Sequence, residues 1–311
     1  MSFGNRLAKV VARRPRSRGP LLWLSAPLIL LALCGSAGAA EPPAPATEHR
    51  LVWRYPRFRA WELVAAGVVT VGNVGAELVY RHQPGNHWTR PILLDAPARS
   101  FFRGGTASSR DQAASISDYL WYGGTYYVLA DGLLTPLITD KLNTDVALQL
   151  TLLNWQAIGT AGLLARIAHD TVGRTRPSLQ GCTNEPGSDN PCEFRGASFV
   201  AGHAMMSSAN AGLACADHQA LKLYGGGIPD AVVCPVMVTT AAGIGVLRMI
   251  ADRHWLSDTI AGWLVGGSLG YGLPYFLHFR YVRQIAAPLP HSALIPWGDA
   301  TSGGVRFLGY F

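Results

Sequence analysis

Apolar residues fill the chain from residue 60 onward in long runs that lack the alternation of a half-buried strand. The runs at about 60–81, 116–137, 144–168, 198–216, 231–251 and 255–278 are rich in alanine and leucine. Their length and the absence of period-two patterning predict helices. Proline, glycine and asparagine punctuate the intervals, as turns require. The expected fold is all-α, a helical bundle of about six core helices. The interval 86–112 has room for a short helix. The interval 174–196, "RTRPSLQGCTNEPGSDNPCEFRG", is a loop long enough to call for a functional reason. The final "GGVRFLGYF" alternates and predicts a short strand, but one strand makes no sheet, and it is given no function.

The N-terminal 40 residues follow another pattern. Arg6, Lys9, Arg13, Arg14, Arg16 and Arg18 precede the apolar run "LLWLSAPLILLALC", and small residues at Ala37 and Ala39 follow it. A basic start, an apolar middle and an A-x-A site predict a secretory signal peptide over 1–40, with a retained membrane anchor as the alternative. Residues 41–56 are expected to be an extended leader, 57–280 the helical domain and 281–311 a C-terminal tail. The net charge of +7 changes meaning once the signal is set aside. Six basic residues leave with it and no acid does, so 20 basic side chains face 19 acidic ones. A nearly neutral protein offers no electrostatic case for nucleic acid.

Cys182, Cys192, Cys215 and Cys234 remain, an even number in an exported chain. That predicts disulfides Cys182–Cys192 inside the long loop and Cys215–Cys234 across a helix–helix connection, with buried free thiols as the alternative. No C-x-x-C spacing is present, so zinc and thioredoxin-type chemistry are not expected. Glu62, Asn73 and Glu77 in the first run, and Gln149, Asn154 and Gln156 in the third, weigh toward a water-soluble bundle. Oxidised pairs at both ends of an up-down bundle would place both ends in an oxidising compartment, which a spanning bundle cannot do. The connections "TDKLNTD" and "DHQALKLYGGGIPD" also lack a basic excess. Periplasmic export is the expectation, with possible contact with a membrane surface. The alternative is an integral inner-membrane protein whose site faces the periplasm.

Polar islands interrupt the apolar pattern in three places. "HDTVGRTRP" (169–177) closes the third run, "SFVAGHAMMSSA" (198–209) opens the fourth, and "LRMIADRHWLSD" (247–258) joins the fifth to the sixth. In an up-down bundle all three lie at one end, so Arg176, Gly202, His203, Arg248, His254 and Asp258 can converge. Two guanidiniums match phosphoryl oxygens, and the N–H groups of a helix start near Gly202 suit an anion. His254 and Asp258 stand four residues apart, which puts both on one face of a helix. No side-chain pattern with metal spacing accompanies them, so the arginines are expected to neutralise charge, without metal or cofactor. Any one of these residues alone has an ordinary structural explanation; the set of them does not.

These residues resemble the type 2 phosphatidic acid phosphatase (PAP2)/vanadium haloperoxidase superfamily, whose signature is K-x6-R-P, P-S-G-H and S-R-x5-H-x3-D. Arg176-Pro177, Gly202-His203, and Arg248, His254 and Asp258 match it in order and spacing. The resemblance implies a metal-independent phosphatase acting on a phosphorylated small molecule or a lipid phosphate. It implies that His254 attacks phosphorus to form a phosphohistidine, with Asp258 orienting its ring. His203 would protonate the leaving oxygen and then activate water, while Arg176 and Arg248 hold the phosphoryl oxygens. The chain departs from the signature at His169, where the family has lysine, at Val200-Ala201 for P-S, and at Leu247 for the third-motif serine. A protonated His169 would still donate to phosphate, and Ala201 cannot supply a hydroxyl. Two alternatives follow: a degenerate member that binds anions or phospholipid heads without turnover, and a haloperoxidase that holds vanadate in the same place. Arg174, Asp252 and Arg253 are read as surface or supporting groups, Met205 and Met206 as core. His218, Lys222 and Tyr224 fall at the opposite end, away from any catalytic role.

Overall fold

The computed structural model describes residues 49–79, 87–180, 198–281, 293–298 and 303–308. The expected signal peptide and the Cys182–Cys192 pair lie outside the described residues. Among the described residues seven α-helices follow one another: α1 Ala60–Val79, α2 Asp95–Phe102, α3 Ala107–Thr139, α4 Thr144–Val172, α5 Gly202–Leu221, α6 Ile228–Ile250 and α7 Leu256–Pro274. A π-helical turn, Tyr275–Phe279, extends α7. The all-α class holds, and α2 is the short helix for which 86–112 had room.

Local chemistry sets several boundaries that apolar periodicity places less well. Helix α3 starts nine residues before the apolar run because Thr106 and Ser109 form a reciprocal capping box, each side chain bonding the other's backbone N–H at 3.1 and 3.2 Å. Asn143 caps α4 by accepting from Val146 N at 3.2 Å. Gly173 closes α4 at φ 54°, the left-handed conformation that glycine adopts freely. The C-terminal tail holds two strands, β1 Ala293–Gly298 and β2 Gly303–Leu308, paired antiparallel from Ala293↔Leu308 to Gly298↔Gly303. The strand expected alone near the end therefore has a partner, one whose proline-containing "ALIPWG" hid its pattern.

Residues 49–56, expected to be leader, instead pack on the bundle. Leu51 and Trp53 are buried in the core, and the Asp140 carboxylate accepts from the backbone N–H groups of Arg50 and Leu51 at 2.7 and 2.9 Å. At the same end His218 of α5 donates to Asp230 of α6 and Asp131 of α3 at 2.7 and 2.8 Å, joining three helices in a structural cluster. The Cys215–Cys234 disulfide joins α5 to α6, with Cα atoms 4.5 Å apart.

Helix α5 lies at the centre, touching α3, α4, α6 and α7. Almost every residue from Ala204 to His218 is buried, Met205 and Met206 among them, as an all-round apolar helix requires. Its closest neighbour is α7, and the cause is a row of glycines at four-residue spacing. A Cβ at Gly262 would stand 2.8 Å from the carbonyl oxygen of Ala201; at Gly266 and Gly270 it would fall on the carbonyl groups of Met205 and Ala209. Backbone cannot move aside as a side chain can. Gly266→Ala is expected to destabilise the fold by about 3 kcal/mol, whereas Gly243→Ala, with nothing within 4 Å, leaves it unchanged. Thermal melting of the two variants checks this; equal melting points would contradict the close approach.

The outer faces carry many exposed apolar side chains. Trp61, Val64, Val68 and Val71 of α1, Ile228, Val232, Val236 and Val238 of α6, and Ile260, Leu264 and Val265 of α7 are exposed. An apolar surface of this extent marks a binding or membrane surface. Helix α6 is long and apolar enough to cross a membrane by length and composition.

Candidate active site

The turn between α6 and α7 presents His254, and neighbouring charges fix it. Asp252 is buried and accepts from Arg99 Nε and Nη2 at 2.7 and 2.8 Å and from Arg103 Nε at 2.8 Å, which ties the turn to α2 and the residue after it. Trp255 is buried and donates its indole N–H to the carbonyl of Thr175 at 2.9 Å. Between these anchors His254 is 4% exposed, and its Nδ1–H donates to the Ser198 carbonyl at 2.8 Å.

Asp258 was expected to hold that ring, and it does so only at one remove. Its Oδ2 accepts from Ser198 Oγ at 2.5 Å and from Trp255 N at 3.0 Å, while its Oδ1 pairs with Arg174 Nη1. The carboxylate thus fixes Ser198, and the Ser198 carbonyl fixes His254. Arg174, expected at the surface or in support, is 1% exposed. It bridges Asp258 to Asp95 of α2, bonds Ser257 Oγ at 2.7 Å, and lies 3.9 Å from the Trp88 ring centroid. Its position two residues before Arg176 was visible, but the distant acid that draws it inward was not.

His203, the second residue of α5, donates from Nε2 to Asp118 of α3 at 2.7 Å. The same Asp118 oxygen accepts from Arg248 Nη1 at 3.1 Å, and Ser117 Oγ takes that nitrogen at 3.2 Å. The Nε of Arg248 is buried without a protein partner. Sequence reasoning passed over Asp118; the available signal was an acid, one of two with Asp131, within the apolar run that begins at 116. Gly202 opens α5 with the unhydroxylated Ala201 as cap, and an added Cβ would rest 3.5 Å from His169 Cε1. The protein's own packing does not require the glycine. His169 had been expected to contact phosphate. Its Nε2–H instead donates to the carbonyl of Val200 at 2.6 Å.

The field within this cluster is positive. Burial, reinforced by Arg248 and Arg176, holds the His254 imidazole well below its ordinary pKa, so it is neutral. Burial likewise lowers His203 to about 4, against the opposing pull of Asp118, and lowers His169 to about 4, against its bond to Val200. Arg248 is lowered to about 10 by burial and by Arg176, and it remains charged at neutral pH. For Asp118 burial is outweighed by His203, Arg248 and Arg253, which keep its carboxyl below the usual range. These mutual influences place Arg176, Arg248, His169, His203 and His254 in one neighbourhood. A neutral imidazole beside two guanidiniums can act as a nucleophile toward an anion, with a second imidazole at hand for the proton.

The structure is thus an all-α bundle that gathers His169, His203 and His254 near Arg176 and Arg248 at one end. Residues 152–281 match the model of the PAP2 superfamily. A crystal structure described as the first transmembrane PAP2-type phosphatidylglycerolphosphate phosphatase from Bacillus subtilis is similar at 16% identity and a TM-score of 0.32, over 70% of this chain and 92% of that one. No curated protein matches the chain.

Proposed function

We propose that the chain is an exported, membrane-associated phosphatase that hydrolyses phosphate monoesters without a metal, through a phosphohistidine at His254. The observation that supports it is the state of His254: buried, neutral, its Nδ1–H given to Ser198 and its Nε2 lone pair left among guanidiniums. In the first step that lone pair bonds to phosphorus while the ester oxygen–phosphorus bond breaks. The leaving oxygen takes a proton from His203, which becomes neutral. Next His203 takes a proton from water as the water oxygen attacks phosphorus. The phosphorus–nitrogen bond then breaks, releasing phosphate and restoring neutral His254. Arg176 and Arg248 hold the non-bridging oxygens as charge redistributes.

The free protein holds His203 neutral, so it must be charged in the complex. A bound phosphoryl group brings negative charge beside the imidazole and favours its protonation. The depressed His254 stays neutral in acid, so turnover is best below neutral pH. Among the described residues no three His, Cys, Asp or Glu side chains are grouped as a metal would need. The Cys215–Cys234 bond is in keeping with an exported chain. A lipid phosphate is the favoured substrate class, because Leu93, Leu94 and Phe101 are exposed at the site end and the helices expose apolar faces below it. Small phosphate esters suit the same pocket chemistry.

One observation favours a second reading, an anion binder without turnover: Ala201 lacks a hydroxyl, and His169 is committed to Val200. Full-length protein assayed in chelator on phosphatidate vesicles, isoprenyl diphosphate and p-nitrophenyl phosphate separates the two. Phosphate release, fastest from vesicles, with an acid-labile, alkali-stable phosphoprotein on rapid quench, is the expected result. Background release from all three substrates, with no trapped phosphate, would sink the enzyme reading.

A further inference from the structure

Asp118 lies 51 residues before the first motif position, His169, and in none of the three motifs, yet it touches two of their side chains. One carboxylate oxygen takes the His203 Nε2–H at 2.7 Å and the Arg248 Nη1–H at 3.1 Å. This arrangement divides each partner into an occupied side and an available one. For His203 the occupied atom is Nε2, and Nδ1 has no hydrogen bond among the described residues. For Arg248 the occupied atom is Nη1, shared with Ser117 Oγ, and Nε has no protein partner although it is buried. A buried guanidinium Nε without a partner is costly unless something else comes to meet it.

We propose that Asp118 is a positioning residue of the reaction, one that holds His203 by Nε2 so that Nδ1 exchanges the proton, and holds Arg248 by Nη1 so that its Nε side faces the phosphoryl oxygens. The inference rests on the phosphatase reading and deepens it. In the first half-reaction the His203 Nδ1 proton passes to the leaving oxygen, and the ring keeps its Nε2–H on Asp118. In the second half-reaction Nδ1 takes a proton from water. The carboxylate stays ionised throughout and stabilises the imidazolium, the role of the acid in a Ser-His-Asp triad.

The charge around His203 makes such a partner necessary. Arg248 of α6 and Arg176 of the segment after α4 face it and oppose its protonation, and His169 of α4 and His254 of the α6–α7 turn, both neutral, stand in the same neighbourhood. Asp118 of α3 is the carboxylate that favours it, and Arg253 faces Asp118 in turn. The Asp118 side chain is 48% exposed, and asparagine in its place keeps an amide oxygen that can accept from Arg248 Nη1.

Asp118→Asn and Asp118→Glu in the full chain test this. The Asn variant is expected to lose roughly tenfold to a hundredfold in kcat, within the range for a general acid. The alkaline limb of its kcat profile should move to lower pH, because the imidazolium loses its counter-charge. Glu should restore the wild-type limb. A side chain that merely braced the fold would lower activity without moving that limb. A second readout does not need turnover: titration of carbon-13-labelled histidines by NMR, with His203→Asn to assign the resonance. There the His203 midpoint should fall in Asp118→Asn even if the wild-type chain releases no phosphate. That result would separate failure of the phosphatase reading from failure of this one. An unmoved His203 midpoint would overturn the proposal. So would higher turnover with tighter inhibition by inorganic phosphate, since Asp118 would then be obstructing the anion site.

Discussion

Exchanging His254 for glutamine stops phosphate release, with a fall in kcat of at least about 10³-fold, as expected when a nucleophile is removed. Glutamine has a similar length and an amide N–H to offer the Ser198 carbonyl, so the turn pinned by Asp252 and Trp255 should survive. What it lacks is an sp² nitrogen lone pair aimed into the cluster. Arg176 and Arg248 are untouched, so inhibition by inorganic phosphate should stay within a few-fold of the wild type if measured as competition for binding. The phosphoprotein trapped from the wild type should be missing. A variant that keeps a tenth of the activity would rule out His254 as the attacking group.

The second large effect falls on stability. Arg174→Met leaves two carboxylates, Asp95 and Asp258, each no more than 1% exposed, without the cation between them. Breaking a buried ion cluster from one side costs about 3–5 kcal/mol, since the remaining charges keep their neutral hydrogen-bond donors but have no water and no counter-charge. The pH dependence gives the effect a sign. Burial works to raise the Asp95 pKa, but hydrogen bonds from Ile92, Ser257 and Arg174 outweigh it and hold the carboxyl below its usual range. Such a group stabilises the fold above its unfolded pKa and loses that contribution as pH falls through the folded value. At pH 4.5 the wild type keeps this Asp95 contribution, but the variant's carboxyls, raised by burial with no cation between them, are neutral and no longer penalised, so the gap narrows from the variant's side. Melting curves at pH 7.5 and 4.5 should show a wide gap narrowing to a small one; a gap that widens in acid would exclude this cause.

Much of the site was legible because its residues sit at fixed spacings near helix ends. Arg248, His254 and Asp258 occupy one turn and its flanks, and Gly202-His203 opens a helix, so sequence order brought them to one end of the bundle. The partners were not legible, because they depend on pairings across the bundle. Asp118 reaches His203 from α3, Asp95 reaches Arg174 from α2, and Ser198 stands between Asp258 and His254. The i, i+4 spacing of His254 and Asp258 promised a direct contact, but a nearer cation and hydroxyl took the carboxylate. His169 illustrates the same competition: the Val200 carbonyl takes its Nε2–H at 2.6 Å. The bundle was readable from apolar runs, while the starts of α3 and the leader's docking were set by hydroxyls and by Asp140. The outer faces were not legible from the polar residues scattered in a run, because Asn154 and Gln156 point inward.

The notched contact between α5 and α7 limits how the pocket can adapt. Carbonyls of one helix seat in gaps spaced a full turn apart on the other, so a slide along the axis has discrete stops about 5.4 Å apart rather than a continuum. His203 rides on one of these helices, while Asp258 and the Ser198 segment it clasps are bound to the other. Their mutual distance is consequently locked.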